Sequence, residues 1–244
     1  MSSEAISLNK YISSTGYCSR READQLIEQG RVCINDHVAL PGARVLPGDR
    51  VFIDDELLKV KATSKQDQFI LAFNKPVGIT STTDEKDRSN IIRFINHPKR
   101  IFPIGRLDKD SEGLIFLTNN GDIVNKILRA GNEHEKEYIV TVDKKLSPDF
   151  ATKMSRGVHI LGTTTLPCKV KQLGSRSFSI ILTQGLNRQI RRMCDVFGYE
   201  VTSLKRIRIM HIELGKLASG KWRYLSEPEM NELFRLIKDS QNEE

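Results

Sequence analysis

The segment GRLDKDSEGL, residues 105–114, carries acidic side chains at alternate positions and then a glycine. Asp108, Asp110, Glu112 and Gly113 match the opening of an EF-hand calcium loop, which places oxygen ligands at positions 1, 3 and 5 and a glycine at position 6. The same residues could instead form a turn that presents one carboxylate to a substrate. The segment therefore indicates either an ion site or a catalytic turn.

The calcium interpretation fails at the end of the loop. Position 12 is Asn119, whose amide cannot supply the bidentate carboxylate that an EF-hand needs. The flanking segments 100–106 and 113–118 are typical of strands or loops, whereas an EF-hand loop joins two helices. We therefore favour a catalytic turn between two strands.

A second segment suited to chemistry is NRQIRRMCDVFG, residues 187–198. At about 100° per residue this sequence predicts a helix with Asn187 as its N-cap and Gly198 at its end. Its apolar face holds Ile190, Met193, Cys194 and Phe197. The opposite face of this helix is basic, and the simplest interpretation is that it is exposed to solvent. Three arginines with a single acid among them favour anion binding instead: Arg188, Arg191 and Arg192, with Asp195.

A larger unit, predicted from residue 69 onward, must position these two segments. Apolar runs and alternation predict strands at 69–76, 113–118, 135–143 and 177–183. Helical periodicity predicts helices at 120–130, at 147–155 with Pro148 in the first turn, and at 225–239 with a Ser226–Glu229 capping box. Because strands and helices interleave without a regular βαβ rhythm, we predict an α+β domain on a mixed, largely antiparallel sheet.

The N-terminal residues 1–62 are predicted to form a small domain of their own. Helices are predicted at 8–16 and 19–30, the second opened by a Ser19–Glu22 capping box. Short strands follow at 31–36, 37–40 and 50–54. The polar segment 63–68 is the predicted linker to the larger domain, 69–244.

Composition excludes several classes of protein. The chain has 244 residues, 39% of them hydrophobic and 28% charged, which is typical of a globular protein. It has no apolar run of the roughly 20 residues that a membrane helix needs, and no signal-peptide pattern. Its 4 cysteines and 5 histidines show no metal-ligand spacing. We therefore expect a cytoplasmic protein without structural zinc.

The distribution of charge indicates a polyanionic partner. The formal net charge is +7, and the N-terminal 61 residues are nearly balanced. The excess lies in residues 186–210, where only Asp195 and Glu200 oppose the basic side chains Arg188, Arg191, Arg192, Lys205, Arg206 and Arg208.

Three motifs together resemble a known enzyme family. GRLDKDSEGLIFLTNNGD, KEYIV and LTQGLNRQIRRM, in this order, look like the core motifs of the pseudouridine synthases of the RsuA/RluB/RluE/RluF type. LNKYISSTGYCSRREADQLIEQGRVCIND resembles the S-four RNA-binding domain that precedes the catalytic domain in that family. NKILRAGNEHEKEYIVTVDK is most similar to the RluF branch, which modifies large-subunit ribosomal RNA. The resemblance spans residues 8 to 238.

The resemblance implies an isomerisation in which uracil leaves its ribose, turns, and rejoins through carbon, with neither metal nor organic cofactor. Asp108 matches the family's catalytic aspartate, which attacks the nucleotide or holds charge as the glycosidic bond breaks. Tyr138 matches the active-site tyrosine, able to stack on the flipped base and to transfer a proton. Arg191 matches the basic residue that pairs with the aspartate and keeps it ionised in a water-excluded site.

The resemblance also implies how RNA is held. Arg106 would fill the gap that the flipped base leaves in its stack. Further RNA contacts are expected from Leu107, Lys109, Asn187, Arg188, Gln189, Ile190 and Arg192 in the catalytic domain, and from Lys10, Arg20 and Arg21 in the S-four domain. The implied partner is ribosomal RNA, with transfer RNA as a further substrate, and the implied protein is a monomer that binds no membrane.

Two other functions fit the same residues. The first is a non-catalytic RNA-binding or ribosome-assembly factor, which would have no use for the aspartate, tyrosine and arginine together. The second is an RNA-directed hydrolase that uses Asp108 with Asp110 or Glu112 as a carboxylate pair. Product analysis separates them, because a hydrolase releases free uracil and a synthase yields a uridine isomer of unchanged mass.

Overall fold

The computed structural model describes residues 5–58, 68–128 and 133–238. The chain divides into two units, Met1–Gln68 and Phe69–Glu244. Most of the predicted linker, residues 63–67, lies outside the described residues, so its boundaries stay a prediction. None of the helices within the described ranges has the length and hydropathy needed to cross a lipid bilayer.

The first unit consists of two helices and short strands. Its elements are β1 (Ile6–Ser7), α1 (Leu8–Ser14), α2 (Arg20–Glu28), β2 (Val32–Ile34), β3 (His37–Val38), β4 (Arg44–Val45), β5 (Val51–Ile53) and β6 (Glu56–Leu57). One sheet has the order β3-β2-β5-β6, and β1 pairs separately with β4.

The predicted capping box opens α2. The amide of Glu22 donates to the Ser19 hydroxyl at 3.2 Å, and the amide of Ser19 donates to the Glu22 carboxylate at 2.6 Å. These bonds satisfy amides that a helix start leaves without partners. Ala23 and Ile27 then face inward and pack in the same core as Leu8 of α1.

The second unit is built on a large sheet. The strands of this unit are β7 (Ile70–Lys75), β8 (Phe102–Ile104), β9 (Glu112–Thr118), β10 (Lys136–Val142), β11 (His159–Ile160), β12 (Thr163–Thr164), β13 (Lys169–Gln172), β14 (Ser177–Leu182), β15 (Val201–Ile209), β16 (Ile212–Glu213) and β17 (Trp222–Tyr224). Strands β11 and β12 pair with each other in a separate two-stranded sheet, and the other strands form the large sheet. The strand order is β13-β14-β10-β15-β9-β7-β17, with β8 paired to β9 and β16 to β15. Every pairing is antiparallel except β15 with β9. The predicted mixed, largely antiparallel sheet is confirmed.

Helices cover this sheet. They are α3 (Ile91–Ile95), α4 (Asp122–Leu128), α5 (Phe150–Ser155), α6 (Gln189–Val196) and α7 (Glu227–Leu236). Helices α5 and α6 pack with β10 and β14 in one core, and α4 and α7 pack with β7 and β9 in another. Alternate residues of β7 and β9 pack with α3 in a third core, which explains why all of β7 is buried. Residues 129–130 and Asp239, predicted in helices, lie outside the described residues.

Two predicted helix starts are wrong. Pro148 is not in the first turn of α5, because the N-cap is Asp149 and the helix begins at Phe150. Asn187 is not the N-cap of α6. That position belongs to Arg188, which has left-handed backbone angles (φ 48°, ψ 35°) and makes no side-chain cap bond. The predicted capping box of α7, Ser226 with Glu229, is confirmed.

The parallel contact between β9 and β15 depends on a glycine. Gly113 pairs with Arg206 in this ladder and has φ +105°. A Cβ built at Gly113 would lie 2.2 Å from the Arg206 carbonyl oxygen, and backbone atoms cannot yield as a flexible side chain can. Both the backbone conformation and the close approach therefore require glycine at this position.

We predict that Gly113→Ala lowers the free energy of unfolding by more than about 3 kcal/mol, because it adds both a backbone clash and left-handed strain. Chemical denaturation monitored by circular dichroism measures the change. Gly185→Ala is the matched control, since nothing lies within 4 Å of a Cβ built there. Equal stability of the two variants would contradict this account of the β9–β15 contact.

Candidate active site

The turn that carries Asp108 connects β8 to β9 and is held by its main chain. The Ser81 hydroxyl donates to the Leu107 carbonyl at 2.9 Å and accepts from the Leu107 amide at 3.1 Å. The amide of Gly78 donates to the Lys109 carbonyl at 2.7 Å. Both neighbours of Asp108 are therefore fixed by the segment that follows β7, while the Asp108 side chain keeps an exposed fraction of 33%.

From the other side, α6 contacts the same turn through Arg191. One terminal nitrogen of Arg191 donates to the Asp110 carbonyl at 2.9 Å and to the Ser111 hydroxyl at 3.2 Å. The other donates to the Val201 carbonyl at 3.0 Å, which ties the turn to β15. The Arg191 side chain is only 11% exposed, and its bonds to Ser111 and Val201 are partly buried, whereas its bond to the Asp110 carbonyl lies at the surface.

The predicted Asp108–Arg191 ion pair is not formed. Within the described part of the chain, Arg188 is the basic residue within 4 Å of the Asp108 carboxylate, with an N–O distance of 3.7 Å. Arg191 lies 3.4 Å from the carboxylate of Asp110 instead. The Arg191 guanidinium is instead bonded to the main chain of the turn and to the Val201 carbonyl, while Arg188, the N-cap of α6, lies beside the turn. Without RNA the Asp108 side chain keeps an exposed third, so the water-excluded site expected when RNA covers it stays a prediction.

Asp110 anchors the arginines. Arg188 donates to its two carboxylate oxygens at 3.1 and 3.0 Å, the bidentate geometry that favours arginine over lysine. This bonding holds the pKa of Asp110 below its usual value and raises the pKa of Arg188. The calcium interpretation of the turn loses support for two reasons. Asp110, one of the supposed calcium ligands, is already paired with Arg188, and the turn runs directly into the strand β9 where an EF-hand would have a helix. Within the described ranges no three His, Cys, Asp or Glu side chains are grouped for metal binding.

Tyr138 lies at the centre of the sheet, on β10. It pairs with Ile180 on one side and Arg206 on the other, and the Arg206 guanidinium carbon lies 5.9 Å from the ring centroid. Tyr138 also packs against the core that contains Leu107, the residue before Asp108. The structure therefore places Tyr138 in the same neighbourhood as the turn.

Arg206 is a residue that the sequence did not single out for this site. It is 4% exposed, and its Nε donates to the Leu114 carbonyl at 2.6 Å. Its buried Nη2 has no hydrogen-bond partner among the described residues.

Lys75, at the end of β7, is a second residue that was missed. Its side chain is fully buried, and its ammonium donates to the carbonyl oxygens of Pro76 and Ile79, each at 2.9 Å. Burial lowers its pKa to about 8, and the carboxylate of Asp108 partly opposes that shift. A lysine at the end of a buried strand that begins with four apolar residues was the sequence signal that could have identified it.

The expected RNA contacts divide into two groups. Arg106, Lys109, Asn187 and Arg188 are exposed on or next to the turn and the start of α6, while Arg192 is partly buried and donates to the carbonyl and side-chain oxygens of Asn187. Leu107, Gln189 and Ile190 are buried, so in this structure their side chains are not exposed for contact with RNA.

Gln189 shows the reason for this burial. Its side-chain oxygen accepts from the Leu186 amide at 2.9 Å, so it closes the loop before α6. In the first unit, Arg20 and Arg21 are exposed and Lys10 is partly exposed.

Comparison with known proteins agrees with this arrangement. The RNA pseudouridylate synthase family matches residues 69–195, and the S4 domain family matches residues 7–51. The dual-specificity RNA pseudouridine synthase RluF of Escherichia coli K12 is 56% identical over 239 residues, which cover 98% of this chain and 82% of that protein. The ribosomal large subunit pseudouridine synthase B of Bacillus subtilis is 34% identical, covering 96% and 98% of the two chains.

A solved pseudouridylate synthase structure aligns with a TM-score of 0.69 and 27% identity, over 93% of this chain and 99% of that one. The family resemblance found in the motifs is confirmed. The chain belongs to the RNA pseudouridine synthase family, with an S4 domain before its catalytic domain, and its reaction is the isomerisation of uridine to pseudouridine in RNA.

Proposed function

We propose that this RNA pseudouridine synthase modifies uridine in structured large-subunit ribosomal RNA and that Asp108 is its catalytic carboxylate. The observation that carries the role of Asp108 is the turn itself, which is bonded through the main chain on both sides of a carboxylate that stays accessible. Such an arrangement fixes the reactive group before the substrate arrives. The similarity to the ribosomal large subunit pseudouridine synthase B of Bacillus subtilis supports the large ribosomal subunit as the target.

The reaction makes defined demands on the side chains. The bond between the ribose carbon C1′ and N1 of uracil must break, and a bond between C1′ and C5 must form. A proton then leaves C5, and N1, which no longer carries the ribose, gains one. In our proposal Asp108 attacks the nucleotide or stabilises charge as the first bond breaks, and the Tyr138 hydroxyl handles the proton at C5.

The arginines take revised roles. Arg188 is the cation beside Asp108, at 3.7 Å, and also neutralises Asp110. Arg191 acts on the main chain of the turn and is a positioning residue. Arg106, exposed two residues before Asp108, is suitably placed to occupy the space of a flipped base.

The hydrolase alternative is less consistent with the geometry. A general acid at neutral pH needs a carboxyl group with a raised pKa, whereas the pKa of Asp110 is lowered by Arg188. A purely RNA-binding protein would not need an accessible carboxylate on so firmly held a turn. Product analysis of an active preparation remains the direct test of both alternatives.

Three further expectations are part of this proposal. The dual specificity in the name of the Escherichia coli relative supports a second RNA substrate, for which we propose transfer RNA. A ribosomal RNA substrate supports a cytoplasmic location. We also propose that the protein acts as a monomer, since the turn, Tyr138 and α6 all come from one chain.

We predict that Asp108→Asn abolishes pseudouridine formation while the dissociation constant for RNA changes by less than about threefold. The substitution preserves size and removes the charge and nucleophilicity that the reaction needs. Release of tritium from C5-labelled uridine measures turnover, and filter binding measures affinity. An unchanged turnover rate would end the catalytic assignment of Asp108.

We predict that Arg191→Ala and Lys10→Ala affect different quantities. Loss of Arg191 frees the main chain at Asp110 and should lower kcat by about 100-fold, because a shift of about 1 Å near the chemistry is that costly. Loss of Lys10 should leave kcat unchanged and, if it contacts one phosphate, reduce the salt dependence of binding by roughly one unit of slope. Equal losses of kcat would mean that Arg191 belongs to a general basic surface.

A further inference from the structure

The segment after β7 folds around the ammonium group of Lys75. That group donates to the Pro76 and Ile79 carbonyl oxygens, each at 2.9 Å. Lys75 has an exposed fraction of 0%, so water does not compete for these carbonyls. Hydrogen bonds from a charged donor in such a setting are stronger than those from a neutral one. The ammonium therefore determines the conformation of residues 76–79.

The same segment holds the turn that carries Asp108. Gly78, inside the stretch that Lys75 closes, has φ +90° and donates its amide to the Lys109 carbonyl at 2.7 Å. Ser81, two residues beyond Ile79, bonds to both the amide and the carbonyl of Leu107. The bonds thus run from Lys75 through residues 76–81 to the two neighbours of Asp108.

Charged groups from three elements face Lys75. Asp108 and Asp110 belong to the turn, Glu112 to β9 and Arg206 to β15. The three carboxylates favour the charged form of Lys75, while Arg206 and burial oppose it. A buried cation near the turn also offsets part of the cost of keeping Asp108 ionised when RNA covers it.

We propose that Lys75 is a positioning residue for the isomerisation, whose ammonium holds the 76–81 segment against the turn and so fixes the orientation of Asp108. The proposal rests on the catalytic role proposed for Asp108. Lys75 touches no substrate in this role and acts through main-chain carbonyls. Its effect should therefore appear in kcat and not in RNA affinity.

Lys136 provides a matched control. It too is a buried lysine whose pKa is lowered to about 8 by burial, with Arg206 as a nearby cation. Its ammonium donates to the His134 carbonyl at 3.2 Å, away from the turn, and no carboxylate of the turn is among the groups that shift its pKa. The two lysines have the same chemistry and are both buried. They differ in their partners, because Lys75 bonds to carbonyls of the segment that holds the turn and Lys136 does not.

The test compares Lys75→Met with Lys136→Met in single-turnover assays from pH 6 to 10, with melting temperatures measured in parallel. Lys75→Met should lower kcat by about 100-fold with a change in RNA affinity of less than threefold, and Lys136→Met should leave kcat within threefold of wild type. Because the pKa of Lys75 is about 8, the wild-type rate should fall as pH rises through that value and the ammonium is lost. Lys136→Met should keep this alkaline decline, and Lys75→Met should lack it.

The contribution of Lys75 to stability is expected to change with pH in the opposite direction to the rate. The folded pKa of Lys75 lies below its ordinary value of 10.5, so the unfolded chain binds the proton more tightly between about pH 8 and 10.5. This group therefore lets stability rise across that interval while activity falls. A purely structural lysine would give activity that follows stability, which the parallel melting curves would reveal.

Wild-type kcat in Lys75→Met, or an alkaline decline that persists in it, would overturn the proposal. If Lys75→Met does not fold, the pH–rate profiles of the wild type and Lys136→Met provide the test. A rate that does not decline near pH 8 in either protein would also contradict the proposal. Asp108→Asn is assayed alongside. Full activity in that variant would refute the proposed role of Asp108, whereas an inactive Asp108→Asn with a fully active Lys75→Met would refute only the role of Lys75.

Discussion

Arg191 donates to the main-chain carbonyl of Asp110, and Gly78 donates to that of Lys109 from the opposite side. These bonds hold the turn by its backbone and leave the side chain of Asp108 accessible. In our proposal Asp108 is the carboxylate that reacts, and such a group cannot also serve as the anchor of its own loop. The structure separates the two tasks, because Asp110 takes the bidentate arginine and Asp108 keeps only a longer contact at 3.7 Å.

The sheet supplies the frame for this arrangement. The turn leads into β9, whose parallel contact with β15 passes so close at Gly113 that no side chain fits there. That contact brings Arg206 beside Tyr138 on the next strand, with Lys75 on β7 within electrostatic reach of Arg206. Three buried or nearly buried cations, Lys75, Arg191 and Arg206, thus lie around a set of carboxylates. Cations at fixed positions stabilise charge that develops during a reaction without reorganising at that moment.

The sequence predicted the capped helices and the strands β7, β9, β10 and β14, because periodicity and capping are local properties, whereas β15 and α3 were not predicted. The capping boxes at Ser19 and Ser226 and the apolar faces of the helices are confirmed for that reason. The ion pairs between the turn and α6 could not be predicted from the sequence. Arg188 and not Arg191 lies beside the Asp108 carboxylate, and the left-handed backbone conformation of Arg188 at the cap position has no sequence signature.

Burial inside the motif was equally hard to predict. Gln189 sits among residues expected to touch RNA, yet its amide closes the Leu186 turn. Lys75 lies outside the acidic and basic motifs from which the site was predicted. Its proposed role depends on its hydrogen bonds to the Pro76 and Ile79 carbonyls, which are known only from the folded structure. Tertiary contacts decide such matters, and no local pattern encodes them.

The central claim is that the turn is already set for catalysis before RNA binds. A crystal structure of Asp108→Asn with a uridine-containing RNA hairpin tests it most directly. The account predicts a flipped uridine whose C1′ lies within about 4 Å of the side chain at position 108, on a turn whose main chain keeps its hydrogen bonds to Gly78, Ser81 and Arg191. A uridine bound elsewhere, or a turn that rebuilds its main-chain bonds around the RNA, would contradict it.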